Sequence, residues 1–215
     1  MKPIVCYVTD RKSIGMADAV GSVLVKIRAA AAAGADWVQI RERDFGAREL
    51  LSLAGGAVEA CSGGARVIVN GRLDVAIASG AAGVHLGEKS LPARDVVRWC
   101  RSGNAPAEFL VGVSCHSLES ACEAESAGAS YIFFGPVFDT PAKRMFGRPQ
   151  GLAKLAEVCR GVRIPVIAIG GVNEDNAAEC VRAGAAGIAA IRLFQEEQDQ
   201  EELRATIARL HDTAR

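Results

Sequence analysis

The sequence carries no excess of charge of either sign. Its 215 residues include 25 Lys and Arg against 25 Asp and Glu. A balanced chain has no overall field to attract nucleic acid or an anionic membrane, so we expect neither as a partner. Long apolar runs are also missing, since none reaches the roughly 20 residues that cross a bilayer.

Several chemical motifs are absent as well. The seven cysteines never form a CxxC pair, and the chain has no HExxH, no GxSxG and no cluster of carboxylates at a strand end. These absences argue against a metal centre and a serine hydrolase. The N-terminal MKPIVCYV has no signal-peptide pattern, so we expect a soluble cytoplasmic protein with reduced thiols.

Short β-branched runs alternate with alanine-rich segments of helical period, which is typical of βα units around a parallel sheet. Because the chain holds eight such units, we predict one (β/α)₈ barrel domain over residues 1–215. A doubly wound open sheet is the alternative, disfavoured because no GxGxxG follows the first strand. The predicted strands are Ile4–Thr9, Trp37–Arg41, Val67–Asn70, Gly83–Leu86, Leu110–Ser114, Tyr131–Gly135, Val166–Gly170 and Gly187–Ile191. The predicted helices begin near Met16, Ala47, Arg72, Pro92, Leu118, Gln150, Asn173 and Gln200.

Signals at helix ends support this division. Ser117 stands where a side chain can cap the helix after the fifth strand, and Asn173-Glu174-Asp175 places acids where the dipole of a helix start favours them. Ala-Gly-Ala recurs at 33–35, 127–129 and 183–185, each time just before a strand. Glycine there can take the left-handed conformation that ends a helix.

A phosphate site is predicted where the last two strands end, because barrels of this type bind ligands at the carboxyl ends of their strands. AIGGVN follows the seventh strand and GIAAIR ends the eighth. Small residues let backbone N–H groups close on an anion beside a helix N-terminus. The predicted binding residues are Gly170, Gly171, Ile191 and Arg192. We expect a bulky residue at Gly171 to abolish ligand binding while the fold stays intact.

The second predicted strand ends in QIRER. Alternation places Gln39, Arg41 and Arg43 on one side of it. Two guanidinium groups at one barrel mouth suit a phosphate or a diphosphate. The alternative is a surface network in which these arginines pair with Glu42 or Asp44.

Further polar residues end the middle strands. Asn70 ends the third, and Ser114 ends the fifth. His85 is flanked by two apolar residues that would face the helices, so it should point into the barrel as a candidate for ligand contact or proton transfer. For His116 we favour a structural role. The long loop after the sixth strand carries Thr140 and Lys143, which predicts a lid over an anionic ligand.

In this order the motifs QIRER, VNGRLDVA, GVHLG, GVSCHSLESACEAE, FGPVFDTPAK and IPVIAIGGVN with GIAAI resemble the thiamine-phosphate synthase and TenI superfamily over nearly the whole chain. The resemblance implies a barrel that binds a thiazole phosphate near Gly171. In the synthase, a magnesium-bound pyrimidine diphosphate loses pyrophosphate, and the thiazole nitrogen captures the resulting cation. By the same resemblance the site is lined by Gln39, Arg41, Arg43, Asn70, His85, Ser114 and Lys143, with Thr140 over it.

Two departures concern the magnesium ion. Gly71 and Ser90 stand where the synthase pattern has the two aspartates that bind Mg²⁺. Magnesium is therefore expected only if synthase activity is retained, with Glu88 or Asp74 in place of those ligands. Otherwise we expect no cofactor.

Gly71 instead resembles the TenI branch, whose members isomerise a thiazole carboxylate phosphate by moving a proton. That branch has a histidine where this chain has Pro136, so a tautomerase would need His85, Asp139 or Glu42 for acid–base work. The leading hypothesis is a thiazole tautomerase. A divergent synthase and a non-catalytic thiamine-phosphate-binding protein are the alternatives, and a homo-oligomer is compatible with each.

Overall fold

The computed structural model describes residues 2–13, 19–87, 90–139, 149–197 and 199–213. Eight parallel strands close into a barrel in chain order, and the last pairs with the first through Ile4 opposite Gly187. The predicted (β/α)₈ class is confirmed. The open sheet is wrong, because an open sheet would leave those two strands as unpaired edges.

The predicted strand bounds and helix starts agree with the observed ones to within one residue, wherever the residues concerned are described. The strands are β1 (Ile4–Val8), β2 (Trp37–Ile40), β3 (Arg66–Asn70), β4 (Gly83–Leu86), β5 (Leu110–Cys115), β6 (Tyr131–Phe134), β7 (Val166–Ile169) and β8 (Gly187–Ala190). The helices in the described ranges are α1 (Ala19–Ala33), α2 (Ala47–Ala60), α3 (Leu73–Ala78), α4 (Ala93–Trp99), α5 (Leu118–Ser126), α6 (Gly151–Gly161), α7 (Glu174–Arg182), α8 (Arg192–Gln195) and α9 (Gln200–Asp212). The sequence did not predict α8, and the expected helix start at Met16 lies outside the described residues.

Two apolar layers cover the two faces of the sheet, as alternation along a strand requires. One fills the barrel interior and the other packs the outer face of the strands against the helices. The interior layer is closed by large side chains from several strands, so the barrel is a packed core and its free polar groups are confined to the rim. Its buried members are Cys6, Val8, Trp37, Tyr131, Phe133, Ile167 and Ala189.

The predicted helix ends are confirmed. The three Ala-Gly-Ala glycines, Gly34, Gly128 and Gly184, have φ of 102°, 85° and 105°. Ser117 Oγ accepts the N–H of Ser120 at 3.1 Å at the start of α5. The Asn173 side chain accepts the N–H of Asn176 in the same way at the start of α7. These caps fix where α5 and α7 start, just beyond the rim. In the described ranges, no helix has the length and apolar character needed to cross a membrane.

Candidate active site

Four predicted site residues form one polar arc along the rim. Gln39, Asn70, His85 and Ser114 lie near the carboxyl ends of four consecutive strands, β2 to β5. Asn70 stands directly opposite His85 in the pairing of β3 with β4. Since neighbouring strands lie about 4.8 Å apart, inward side chains at these positions can contact one ligand.

His85 is locked by two hydrogen bonds at the floor of this arc. Its Nδ1 lies 3.1 Å from the Tyr131 hydroxyl and its Nε2 lies 2.9 Å from Ser114 Oγ. The ring is 1% exposed, and burial lowers the pKa of His85 to about 3. Gly112 makes room for this arrangement, because a Cβ there would overlap the Tyr131 ring.

The direction of these bonds follows from the tyrosine. Burial holds the pKa of Tyr131 well above its ordinary value, so the phenol stays protonated. Because its hydroxyl has no other hydrogen bond within the described ranges, we assign the Tyr131 O–H as the donor to His85 Nδ1. His85 then donates from Nε2 to Ser114 Oγ, and the Ser114 proton remains for a ligand. This geometry favours an orienting role for His85 over proton transfer, because both ring nitrogens are engaged and the ring stays neutral.

Lowering the pH should destabilise the folded protein, because buried His85 stays neutral there. An unfolded histidine takes up a proton below about pH 6.5, whereas folded His85 does so only near pH 3. Stability from this group is therefore present above pH 6.5 and is lost as the pH falls through this window. Between pH 6.5 and pH 4 it should lower the free energy of unfolding by about 3 kcal/mol. Urea denaturation across this range should show a shallower pH dependence for His85→Gln, and equal slopes would contradict the assignment.

Arg41 and Arg43 do not form the surface network that was the alternative for them. Both oxygens of Asp44 accept from the Arg11 guanidinium at 2.7 Å. Buried Glu42 accepts the backbone N–H of Arg11 at 3.1 Å. The alternative is therefore wrong, because a third arginine, from the loop after β1, engages both carboxylates.

Arg41 is held at the mouth as a partly buried cation with no direct ion pair among the described residues. Its backbone N–H donates to buried Thr9 Oγ1 at 2.9 Å, which fixes the chain at the end of β2. Burial, and next the positive charge of Arg43, lower the pKa of Arg41. Within the described ranges no carboxylate lies within ion-pair distance of its guanidinium, although Asp10 and Glu42 attract it over a longer distance. Beside it, the Gln39 amide nitrogen is buried without a hydrogen-bond acceptor. These donors suit a ligand that supplies acceptors or negative charge.

The predicted phosphate turn joins β7 to α7. Gly170 and Gly171 have φ of 94° and 69°, and the Asn176 amide donates to the Gly171 carbonyl at 3.0 Å. A Cβ on Gly171 would lie 2.6 Å from the Asp139 carbonyl oxygen. The expectation that a bulky residue at Gly171 leaves the fold intact is therefore wrong, because the added atoms would meet backbone of the β6–α6 connection.

The two residues that follow β8, Ile191 and Arg192, lie in different surroundings. Ile191 packs against the interior layer, beside the Gly170–Gly171 turn. Arg192 instead lines a cleft of about 430 Å³ between α7, α8 and α9, together with Asn173 and Glu196. The Arg192 side chain thus lies apart from the polar arc, and only its backbone continues from the β8 rim.

The positions that the resemblance assigns to magnesium do face each other. A Cβ on Gly71 would lie 3.8 Å from Ser90 Oγ. Ser90 Oγ, however, accepts the Gly87 N–H at 2.9 Å, and Asp74 is bound by the Arg72 guanidinium at 2.9 and 2.6 Å. Glu88 lies outside the described residues. Among the residues that are described, no group of three or more His, Cys, Asp or Glu could hold a metal ion. Among the described residues these positions therefore offer no pair of unengaged carboxylates, the ligands that Mg²⁺ prefers.

Sequence reasoning missed Tyr131 and Arg11. Alternation along β6 could have identified Tyr131 as an inward phenol that needs a hydrogen-bond partner. No local signal marks Arg11, since its partners lie more than 30 residues away along the chain. The lid candidates Thr140 and Lys143 lie outside the described residues.

Fold and site together define a (β/α)₈ barrel whose rim presents hydrogen-bond donors to a ligand. The sequence model of the family described as thiamine monophosphate synthase matches residues 5–194. The chain belongs to this family, which confirms the resemblance in its motifs.

Individual relatives are similar to this chain over most of their length. A Geobacter sulfurreducens protein that is provisionally named thiamine-phosphate synthase is 42% identical to this chain. The alignment covers 94% of this chain and 92% of the length of that protein. The thiamine-phosphate synthase of Methanocella arvoryzae is 44% identical over 80% of this chain and 79% of its own. Among solved structures, a thiamine phosphate pyrophosphorylase from Pyrococcus furiosus superposes with a TM-score of 0.80 at 32% identity, covering 96% of each chain.

Proposed function

We propose that this chain couples a pyrimidine diphosphate with a thiazole phosphate to form thiamine phosphate. The observation that carries the proposal is the partly buried Arg41, a cation with no direct ion pair among the described residues, while Glu42 and Asp44 bind Arg11. A preorganised cation at a barrel mouth stabilises negative charge that develops there, and a departing diphosphate develops it. The names of the synthase relatives support the same reaction.

The chemistry suits a site rich in donors and poor in bases. The bond between the pyrimidine methylene carbon and the diphosphate oxygen breaks, and the diphosphate leaves with the electron pair. The thiazole nitrogen then gives its lone pair to that carbon to form the new C–N bond. No proton has to move in these steps, so His85 can remain neutral and hydrogen-bonded. Arg41 takes up the charge of the leaving diphosphate. Arg43 lies beside it but contributes less, because it is exposed and its charge is screened by solvent.

The remaining donors would hold the two ring systems. Gln39 Nε2 and the Ser114 hydroxyl are placed to bind the polar edge of the pyrimidine, with Asn70 beside them. The thiazole phosphate would lie against the backbone of the Gly170–Gly171 turn and the end of β8 at Ile191 and Arg192. Thr140 and Lys143 are proposed to close over the anions from the β6–α6 loop.

Thiazole tautomerisation is the second candidate, favoured by Gly71 and Ser90 at the two aspartate positions. It needs a side chain that exchanges protons with the substrate. His85 is engaged at both nitrogens, and Glu42 is bound by Arg11. Two of the three acid–base candidates from the sequence are thus engaged by other groups, which supports coupling over tautomerisation.

Two assays on one preparation distinguish these functions. We expect thiamine phosphate to form from the pyrimidine diphosphate and the aromatic thiazole phosphate, measured by fluorescence after oxidation to thiochrome, in a series that includes both MgCl₂ and EDTA. We expect no isomerisation of the thiazole carboxylate phosphate above the rate without protein. Isomerisation without coupling would establish the tautomerase instead. Binding without either turnover would establish a non-catalytic binding protein.

A further inference from the structure

His116 connects the polar arc to the opposite side of the rim. It follows β5, and its Nδ1 hydrogen-bonds to the carbonyl oxygen of Gly135 just after β6. A carbonyl can only accept, so Nδ1 carries the proton. The His116 backbone N–H is in turn held by Ser120 Oγ at 3.3 Å, in the first turn of α5. The backbone of His116 is therefore anchored to the first turn of α5, and its ring donates to the backbone just after β6.

The segment that receives this bond lies directly against the Gly170–Gly171 turn. The N–H groups of Val137 and Phe138 donate to the carbonyls of Ile169 and Gly170 at 3.0 and 2.9 Å. A Cβ on Gly170 would lie 2.6 Å from Pro136 Cα. The two segments are thus in close contact with no space between them, and a displacement of Gly135–Phe138 must displace the turn.

The bond from His116 is distinctive among the contacts that fix this segment. Backbone N–H groups at the start of α6 donate to the Pro136 and Val137 carbonyls at 2.7 and 3.0 Å. For Gly135–Phe138, the other polar contacts within the described ranges are likewise between backbone groups, and His116 supplies the contact from a side chain. The chain can therefore change this contact by substitution without altering the others.

We propose that His116 is a positioning residue for the phosphate-binding turn. Its Nδ1–H fixes Gly135, Gly135–Phe138 fixes the Gly170–Gly171 turn, and that turn binds the phosphate of the thiazole half. The proposal rests on the proposed function for the identity of the ligand. It differs from the structural role expected from the sequence, because it predicts an effect on phosphate affinity beyond an effect on stability.

The test uses variants that separate the donor from the ring. His116→Phe keeps the ring and removes the donor, whereas His116→Asn keeps an N–H donor and removes the ring. We expect calorimetric titration with thiamine phosphate to give about tenfold weaker binding for His116→Phe and binding within about threefold of wild type for His116→Asn. Because this readout is binding, it stands even if the coupling assay shows no turnover.

Ser117→Ala is the matched control. It removes the α5 cap next to His116 and leaves the bond to Gly135, so it should lower the unfolding temperature without weakening thiamine phosphate binding. The proposal is overturned if His116→Phe binds like wild type, if His116→Asn binds as weakly as His116→Phe, or if Ser117→Ala weakens binding equally. If His116→Phe does not fold, His116→Asn decides alone, because a purely packing role for the ring predicts weak binding for that variant.

Discussion

Replacing Arg41 by glutamine should lower kcat/KM for coupling by about a hundredfold, the effect of removing one preorganised donor from developing negative charge. The same change should leave the free energy of unfolding unchanged or raise it. Burial and the charge of Arg43 outweigh the attraction of Asp10 and Glu42 and lower the pKa of Arg41, so its charge opposes folding. Loss of activity without loss of stability is typical of a residue kept for function.

Arg43→Gln is the matched control for this prediction. Arg43 is exposed on the same segment and carries the same charge, but solvent screens an exposed cation. Its loss should cost less than about fivefold in kcat/KM. Steady-state kinetics and urea denaturation of the two variants provide the comparison. An Arg41→Gln enzyme that couples at the wild-type rate, or one that unfolds more easily, would contradict the role given to Arg41.

The second large effect is expected at Gly171. Alanine there should destabilise the fold by about 4 kcal/mol, from a left-handed backbone conformation and a collision with the Asp139 carbonyl. Gly80→Ala separates the two causes, since Gly80 has φ of 70° with nothing within 4 Å of an added Cβ. That control should lose only about 1 kcal/mol.

Chemical denaturation of both alanine variants measures the difference. If Gly171→Ala and Gly80→Ala lose equal stability, the Gly170–Gly171 turn has room to move, and the close contact with the β6–α6 connection is not a constraint. Thiamine phosphate binding by Gly171→Ala, at a temperature where it is folded, should also be weaker, because the turn must shift to admit the methyl group.

Local sequence patterns predicted the fold because its signals are local. Apolar runs such as VIAI specify strands that are covered on both faces, and Ala-Gly-Ala marks helix ends, as Gly34 and Gly184 show. Strand ends differ by one residue because they depend on pairing with the neighbouring strand. The short helix α8 is one turn long and leaves too few residues for a helical period to be recognised.

The site was predicted less completely, because its electrostatics depend on distant residues. Alternation placed Gln39 and His85 on the inner face, but it could not show that Tyr131 and Ser114 engage both nitrogens of His85. Alternation also left open whether Arg41 pairs with a neighbouring carboxylate or with an anionic ligand. The contact between Arg11 and Asp44, 33 residues apart, argues against the pairing with a carboxylate.

Crystallography of this chain with thiamine phosphate bound tests the central claim most directly. The account predicts the phosphate against the Gly170–Gly171 backbone, the pyrimidine ring within hydrogen-bond distance of Gln39 Nε2, and the Arg41 guanidinium at the open side of the ligand. Density for thiamine phosphate in the cleft between α7, α8 and α9, with the barrel mouth left to solvent, would contradict it.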